Sequence, residues 1–260
     1  MTALRRMAKG VGFTALAGTI GGAVLLVAET AAARSRRFAK PDMRLAMRSS
    51  IGPAKAPPLR LVLLGDSTAL GVGVDRVTDT VGGQLAALLA DGPGGRRVEL
   101  SSVAVSGSHA ADLAIQVARA MVGPRPDVAV ILIGANDAIR LALPGETAGH
   151  LGDAVRRLVG AGVPVVVGTC PDLGAARAFA PPLRQMLGWH GRRIARAQSA
   201  AVREAGGVPV DLAERTGPVF RADPGTLCHD GFHPSADGYR VWAHTLLPPV
   251  VAAARTAYQP

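Results

Sequence analysis

Four short segments of this 260-residue sequence carry side chains suited to acyl transfer. They are Gly65-Asp66-Ser67-Thr68, Ser106-Gly107-Ser108, Gly134-Ala135-Asn136-Asp137 and Asp230-Gly231-Phe232-His233-Pro234. Together they supply a hydroxyl, a glycine amide, a carboxamide, and an imidazole with a carboxylate three residues before it. This set of groups indicates a site in which an activated hydroxyl attacks a carbonyl carbon.

The role of each group follows from its chemistry. Ser67 is the predicted nucleophile, His233 the base that takes its proton and returns it to the leaving alcohol, and Asp230 the acid that fixes the imidazole tautomer. The predicted oxyanion donors are the backbone amides of Ser67 and Gly107 and the side chain of Asn136. The sequence therefore predicts hydrolysis of a carboxylic ester.

The segments that position these residues alternate between strand and helix. Apolar runs predict strands over residues 60–64, 98–105, 128–133, 163–169 and 208–212. Helical periodicity covers residues 81–90, 110–121, 147–159, 183–205 and 236–247, the last ending at two prolines. This alternation predicts a three-layer α/β domain over residues 58–260 with a five-stranded parallel sheet. Because ligands bind at the carboxyl ends of parallel strands, the four segments are expected to meet at one edge.

The same segments resemble the motifs of the SGNH hydrolases, also called GDSL lipases and esterases. Ser67, Gly107, Asn136 and His233 stand in the family's order, with spacings of 40, 29 and 97 residues. The resemblance implies a flavodoxin-like sheet and an open, adaptable site without a cofactor. It implies that Ser67 is the nucleophile and that Gly107 and Asn136 are oxyanion donors. It also implies that Asp230 and His233 form the family's Asp-x-x-His pair.

Two positions depart from the family's pattern. Thr68 replaces the leucine of the GDSL motif, a side chain that does no chemistry. Before Gly107, the polar neighbours often found in the family are replaced by two valines and an alanine at residues 103–105, so Gly107 is matched less closely than the other site residues. Asp137 is expected to hold its loop through backbone amides.

Competing motifs are incomplete. The glycines after the first predicted strand are not followed by the Gly-Lys-Ser/Thr of a P-loop, and they do not complete a dinucleotide fingerprint. Ala69 stands where the nucleophile elbow of an α/β-hydrolase requires glycine. Residues 228–233 contain zinc-ligand types without the spaced pairs of a zinc site.

The amino-terminal quarter is basic and begins with an apolar run. Residues 10–28 are uncharged, and a helix of this length spans a bilayer. An Ala-x-Ala site at residues 31–33 fits a cleaved signal peptide instead. The five glycines in the run fit a third alternative, a buried helix of a soluble domain. We expect residues 1–33 to be an anchor or a signal and residues 34–57 a basic tether at the cell envelope. The basic flank after the run favours a cytoplasmic domain, whereas the signal-like order favours export.

Charge and cysteine content bound the partners. The net charge of +10 lies mostly in residues 1–57, so a nucleic-acid partner is not expected for the nearly neutral domain. If the domain is exported, Cys170 and Cys228 are predicted to form a disulfide; otherwise they are thiols.

Lipid or alkyl esters, favoured because the chain has few aromatics, compete with acetylated envelope glycans and thioesters as substrates. A catalytically silent envelope binding protein is the alternative from another class, and the oligomeric state stays open.

Overall fold

The computed structural model describes residues 48–92 and 95–256. Six strands lie in this part of the chain: β1 (Arg48–Ile51), β2 (Pro58–Gly65), β3 (Arg97–Ser102), β4 (Val128–Leu132), β5 (Val165–Gly168) and β6 (Val208–Val210). They form one sheet in the order β1-β3-β2-β4-β5-β6. Strands β2 to β6 are parallel, which confirms the predicted five-stranded parallel sheet, and β1 pairs antiparallel with β3.

Eight α-helices connect or follow the strands within the described residues. They are α1 (Ser67–Leu70), α2 (Val81–Ala90), α3 (Leu113–Ala120), α4 (Ala135–Ile139), α5 (Pro144–Gly160), α6 (Leu183–Glu204), α7 (Leu212–Ala222) and α8 (Ala236–Thr256). Helix α2 has the predicted bounds, and α5 and α6 lie within a few residues of theirs.

Strand β2 shows why the domain has three layers. Its side chains alternate between the two faces of the sheet, and both faces are buried. Leu61 and Leu63 pack with apolar residues of α2, α7 and α8. Val62 and Leu64 pack with apolar residues of α3, α5 and α6. Hydrophobic burial on both sides therefore fixes the sheet between two helical layers.

Strand β1 is an addition to the predicted sheet. It lies inside residues 34–57, the segment expected to be a tether, and Ser49 and Ser50 pair with Leu100 and Glu99 of β3. Its four residues alternate between exposed and half-buried positions and contain no apolar run. An edge strand that needs little burial leaves no hydrophobic signal in the sequence.

The last helix is longer than predicted. Helix α8 continues through Pro248 and Pro249 to Thr256, although each proline removes a backbone donor from the helix. Leu246, Val250 and Ala253 are all buried in the core on the same side of the sheet as α2. Their spacing of three and four residues places them on one helical face, so we infer that packing offsets the lost hydrogen bonds. Helix α7, which contains Pro218, was also not predicted.

The predicted membrane segment at residues 10–28 lies outside the described residues. Within residues 48–92 and 95–256, no helix combines the length and the apolarity needed to cross a bilayer.

Candidate active site

Ser67 lies at the first residue of a short helix directly after the central strand β2. Asp66 caps this helix, because its Oδ1 accepts hydrogen bonds from the Thr68 backbone N–H at 2.9 Å and from the Thr68 hydroxyl at 2.7 Å. Gly65 has a φ of +134°, and a Cβ there would lie 1.9 Å from the carbonyl oxygen of Leu132. Only glycine fits this turn, which places the Ser67 side chain at the carboxyl edge of the sheet.

Three predicted site residues form one hydrogen-bonded chain. Nδ1 of His233 lies 2.6 Å from Oδ2 of Asp230, and Nε2 of His233 lies 2.9 Å from Oγ of Ser67. Both Ser67 and His233 are buried. With the imidazole hydrogen on Nδ1, His233 donates to Asp230 and its Nε2 is left to accept the hydroxyl hydrogen of Ser67.

The surroundings of Asp230 keep it ionised. Burial alone would raise its pKa, but hydrogen bonds from the His233 side chain, the Cys228 thiol and the backbone N–H groups of Phe232 and His233 outweigh burial and hold the pKa well below its usual range. The backbone donors lie 2.8 and 2.9 Å from Oδ1. The carboxylate therefore both shapes the turn at residues 230–233 and accepts from the imidazole.

One hydrogen bond joins the second and third motifs. Nδ2 of Asn136 donates to the carbonyl oxygen of Ser108 at 2.9 Å, which links the loop after β3 to α4. Gly107 has a φ of +82°, and a Cβ there would meet nothing within 4 Å, so its backbone borders open space. Among the described residues, the N–H groups of Ser67 and Gly107 donate to no protein acceptor.

Gln116 positions two of these motifs and was not predicted from the sequence. Its Oε1 accepts from the Gly65 N–H at 2.7 Å, and its Nε2 donates to the Gly65 carbonyl at 2.9 Å and to Oγ of Ser108 at 3.0 Å. The residue is 1% exposed. A single glutamine on an amphipathic helix carries no sequence signal that separates it from a surface residue.

Two further acids near the site are buried. Burial raises the pKa of Asp66 to about 6, although its hydrogen bonds from Thr68 and the charge of His233 act in the opposite direction. Burial also raises the pKa of Asp137, against the hydrogen bond from the Ala110 N–H. That bond, 3.2 Å to Oδ2, ties α4 to the loop before α3, as expected for a residue that holds its loop through backbone amides.

Cys170 and Cys228 are both free thiols, the second of the two states that the sequence leaves open, and not the disulfide expected for an exported domain. Cys170 is fully buried at the end of β5, with its backbone N–H bonded to Gln198. Cys228 instead turns its thiol to Oδ1 of Asp230 at 3.0 Å. The two residues follow different strands at the same edge, and a shared edge does not bring two side chains into bonding geometry.

An open depression of about 280 Å³ lies beside Gly107, and Val105, Ser108 and Ile115 line it as well. The described part of the chain contains no cluster of three or more histidine, cysteine, aspartate or glutamate side chains that could hold a metal ion.

A three-layer α/β fold with a serine, a histidine and an aspartate joined at the carboxyl edge of its sheet is the arrangement of an SGNH hydrolase. Residues 63–241 match the GDSL-like Lipase/Acylhydrolase family, and the chain belongs to that family.

One curated relative and two solved structures are similar to this chain. The chain is 46% identical over 190 residues to the GDSL-like esterase Rv1075c of Mycobacterium tuberculosis, a match that covers 72% of this chain and 60% of the relative. A lipolytic G-D-S-L family protein from Veillonella parvula shares the fold with a TM-score of 0.59 and 15% identity, over 73% of this chain and 96% of that one. The acetylxylan esterase Axe2 of Geobacillus stearothermophilus has a TM-score of 0.53 and 22% identity, over 75% and 95%.

Proposed function

We propose that this chain is a serine esterase that hydrolyses carboxylic esters. The observation that carries the proposal is the continuous hydrogen-bonded chain from Asp230 through His233 to Ser67. It has the order of acid, base and nucleophile that acyl transfer requires. Membership of the GDSL-like family and the 46% identity to a GDSL-like esterase support the same activity.

The reaction starts at the Ser67 hydroxyl. Oγ attacks the ester carbonyl carbon while its proton passes to Nε2 of His233, and the ionised Asp230 stabilises the imidazolium. When the tetrahedral intermediate collapses, the C–O bond to the alcohol breaks and Nε2 returns the proton to the leaving oxygen. Water then attacks the acyl-serine ester with His233 again as the base, which releases the carboxylic acid and restores Ser67.

The oxyanion is assigned to three donors, one from each of the first three motifs. They are the backbone N–H groups of Ser67 and Gly107 and the second N–H of the Asn136 carboxamide, whose first N–H is used on Ser108. Such donors stabilise negative charge where it develops, and the loss of one costs about 10²–10³ in rate. Gln116, which bonds to both Gly65 and Ser108, supports two of the donor positions without touching the substrate.

We assign alkyl or lipid esters as the substrate class. The support is that Val105 and Ile115 place two apolar side chains in the otherwise mostly polar lining of the depression beside Gly107, together with an aromatic content of only 3%, which leaves few rings on which sugars could stack. A series of 4-nitrophenyl esters of increasing acyl length tests this assignment. Measurable turnover that Ser67→Ala abolishes supports the proposed esterase activity. No turnover of any ester by the purified wild-type protein overturns that activity.

Attachment to the cell envelope is the second part of the proposal. It rests on the sequence, namely the uncharged residues 10–28 between basic flanks. Alkaline extraction of membranes from the native host tests it. Retention of the protein in the pellet supports an anchored enzyme, and complete release contradicts it.

A further inference from the structure

We propose that the edge of the domain around the active site docks on anionic phospholipid membranes, from which the ester substrate is drawn. This inference rests on the esterase function proposed above and adds the physical form in which the substrate is presented. It is carried by the distribution of exposed apolar residues, by the way two segments are joined, and by the arginines beside them.

Exposed apolar side chains concentrate around the site. Nine large apolar side chains are exposed in the described part of the chain, and six lie between the carboxyl end of a strand and the second turn of the longer helix that follows it. Those six are Val105, Ile115, Leu141, Leu143, Met186 and Trp189. Apolar residues scattered singly need no explanation, but a concentration at one edge marks an interaction surface.

Four of these residues lie on two segments that one hydrogen bond joins, and we call these four residues the apolar rim. Nε2 of His190 lies 3.0 Å from the carbonyl oxygen of Ala142, so the start of α6 is joined to the loop between α4 and α5. Leu141 and Leu143 flank Ala142 and are 55% and 69% exposed. Met186 and Trp189, four residues and one residue before His190, are 42% and 57% exposed. The rim follows directly on α4, the helix that carries Asn136.

The backbone of Leu141 adopts an energetically unfavourable conformation. Its φ is +58°, and it is the one non-glycine residue with positive φ among those described. This left-handed conformation is unfavourable for leucine, whereas asparagine tolerates it well. An exposed leucine held in this conformation gains nothing from the core of the domain. It fits a role in which the side chain is turned outward to an apolar partner.

Positive charge borders the apolar rim. The guanidinium of Arg193 lies 4.7 Å from the centre of the Trp189 ring. On the neighbouring face of α6, an open depression of about 600 Å³ is lined by four arginines and no acidic residue. Those arginines are Arg177, Arg184, Arg192 and Arg221.

Two of these arginines are bound by one buried carboxylate. Asp172, whose side chain is 1% exposed, accepts a hydrogen bond from Arg192 at 3.4 Å and pairs with Arg221. Arg177 and Arg184 form no ion pair within the described residues. The depression also adjoins the catalytic turn, because the Ala178 N–H donates to the carbonyl oxygen of Gly231 at 3.0 Å.

An apolar patch with tryptophan at its edge and arginines beside it matches the interface of an anionic bilayer. Leucine, methionine and tryptophan side chains enter the boundary between headgroups and acyl chains, and arginines bind lipid phosphates. In this orientation the site faces the membrane. An ester group at the membrane surface then reaches Ser67 without the whole lipid leaving the bilayer.

Tryptophan fluorescence tests the docking in the full chain. The chain has two tryptophans, and Trp242 is 3% exposed, so Trp189 is the one that a membrane can reach. We expect brominated phosphatidylcholine vesicles that contain phosphatidylglycerol to quench Trp189, and Trp189→Phe to remove that quenching. Attachment through residues 10–28, which contain no tryptophan, does not produce the signal.

The variant Leu141→Asn/Leu143→Ser removes apolar surface without opposing the backbone. Asparagine accepts the positive φ of residue 141, and serine suits residue 143, which caps α5. We expect the quenching and the hydrolysis of a vesicle-borne ester to fall about tenfold or more, because two leucine side chains no longer enter the bilayer. Turnover of a soluble 4-nitrophenyl ester should be unchanged. Val122→Ser, at a residue 80% exposed beyond the other end of α3, is the matched control.

The outcomes separate the two proposals. No quenching of the wild type, or unchanged quenching in the double leucine variant, overturns the docking surface. Equal quenching by vesicles without phosphatidylglycerol, or no effect of Arg177→Gln/Arg184→Gln, overturns the anionic partner. If the wild type is quenched but hydrolyses no soluble ester, the docking surface stands and the proposed esterase function fails.

Discussion

Nε2 of His233 lies 2.9 Å from Oγ of Ser67, although 166 residues separate them in the chain. The contact joins the turn after β2 to the turn before α8. Because both turns lie at the carboxyl edge of the same sheet, the fold brings together a base and a nucleophile that neither segment could provide alone. The proposed reaction depends on this contact.

Asp230 should matter less to turnover than His233. Asp230→Ala removes the acceptor that selects the Nδ1–H tautomer, but the imidazole remains as a base. Kinetics on a soluble ester should show a smaller loss of kcat for Asp230→Ala than for His233→Ala. The reverse order would mean that the two roles are wrongly assigned. Cys228→Ala, which removes one hydrogen bond to Oδ1, should have a smaller effect than either.

Asn136→Ala should lower kcat by about 10²–10³ and leave KM nearly unchanged. The carboxamide is proposed to bind the oxyanion, so its contribution appears mainly in the transition state. Steady-state kinetics on a soluble ester measure both constants. An effect confined to KM would show that Asn136 binds the ground state instead.

Gln116 should behave as a positioning residue. Gln116→Leu leaves the N–H and carbonyl of Gly65 without their side-chain partner and frees Ser108, so both stability and kcat should fall. Ser108→Ala removes only the hydroxyl contact and should lower kcat by a smaller factor. Thermal unfolding curves identify a temperature at which both variants are folded. The kcat values of the variants and the wild type are then compared at that temperature. If folded Gln116→Leu keeps the wild-type kcat, Gln116 has no role beyond stability.

Asp66 should make the domain less stable as pH rises from about 4 to about 6. Its pKa is raised to about 6 in the folded protein from an ordinary 3.8, so the folded state binds the proton more tightly than the unfolded state does. The stabilisation is therefore complete below the unfolded pKa and is lost as pH rises through the folded one. It amounts to roughly 2–3 kcal/mol, since one pKa unit corresponds to about 1.4 kcal/mol.

Asp66→Asn keeps an oxygen that can accept from Thr68 and removes the titration. Denaturant unfolding at several pH values should show the wild type losing stability relative to this variant across that range. Asp211→Asn, in which another capping carboxylate that accepts a backbone N–H is changed, serves as the control. A constant difference between wild type and Asp66→Asn would contradict the raised pKa.

The parts of the fold that follow from the sequence are those that burial dictates. Strand β4 is buried along its whole length, so its apolar run is visible in the sequence, and seven of the ten residues of α2 are buried as well. Three of the four motifs directly follow an apolar strand, and the fourth lies between the last strand and the last helix. Strand β1, at the edge, and the continuation of α8 through two prolines depend on tertiary pairing and packing, which local pattern does not record.

The same distinction applies within the site. The side chains of Ser67, His233 and Asp230 carry functional groups that indicate acyl transfer from the sequence alone. Gln116 and Gln198 are equally buried, yet they act by bonding to the backbone at the ends of strands, a task that leaves no motif. The cysteines show the converse case: their position near one edge makes them candidate disulfide partners in an exported domain, yet both are free thiols and each has a different environment.

Labelling of Ser67 by a fluorophosphonate probe, located by peptide mass spectrometry, tests the central claim most directly. The wild type should be modified at Ser67 and lose its esterase activity in proportion to labelling, because only an activated hydroxyl reacts readily. Ser67→Ala should carry no label, and His233→Ala should label far more slowly while unfolding at a similar temperature to the wild type. Labelling of another residue with loss of activity, or full labelling of Ser67 in His233→Ala, would contradict the proposed mechanism.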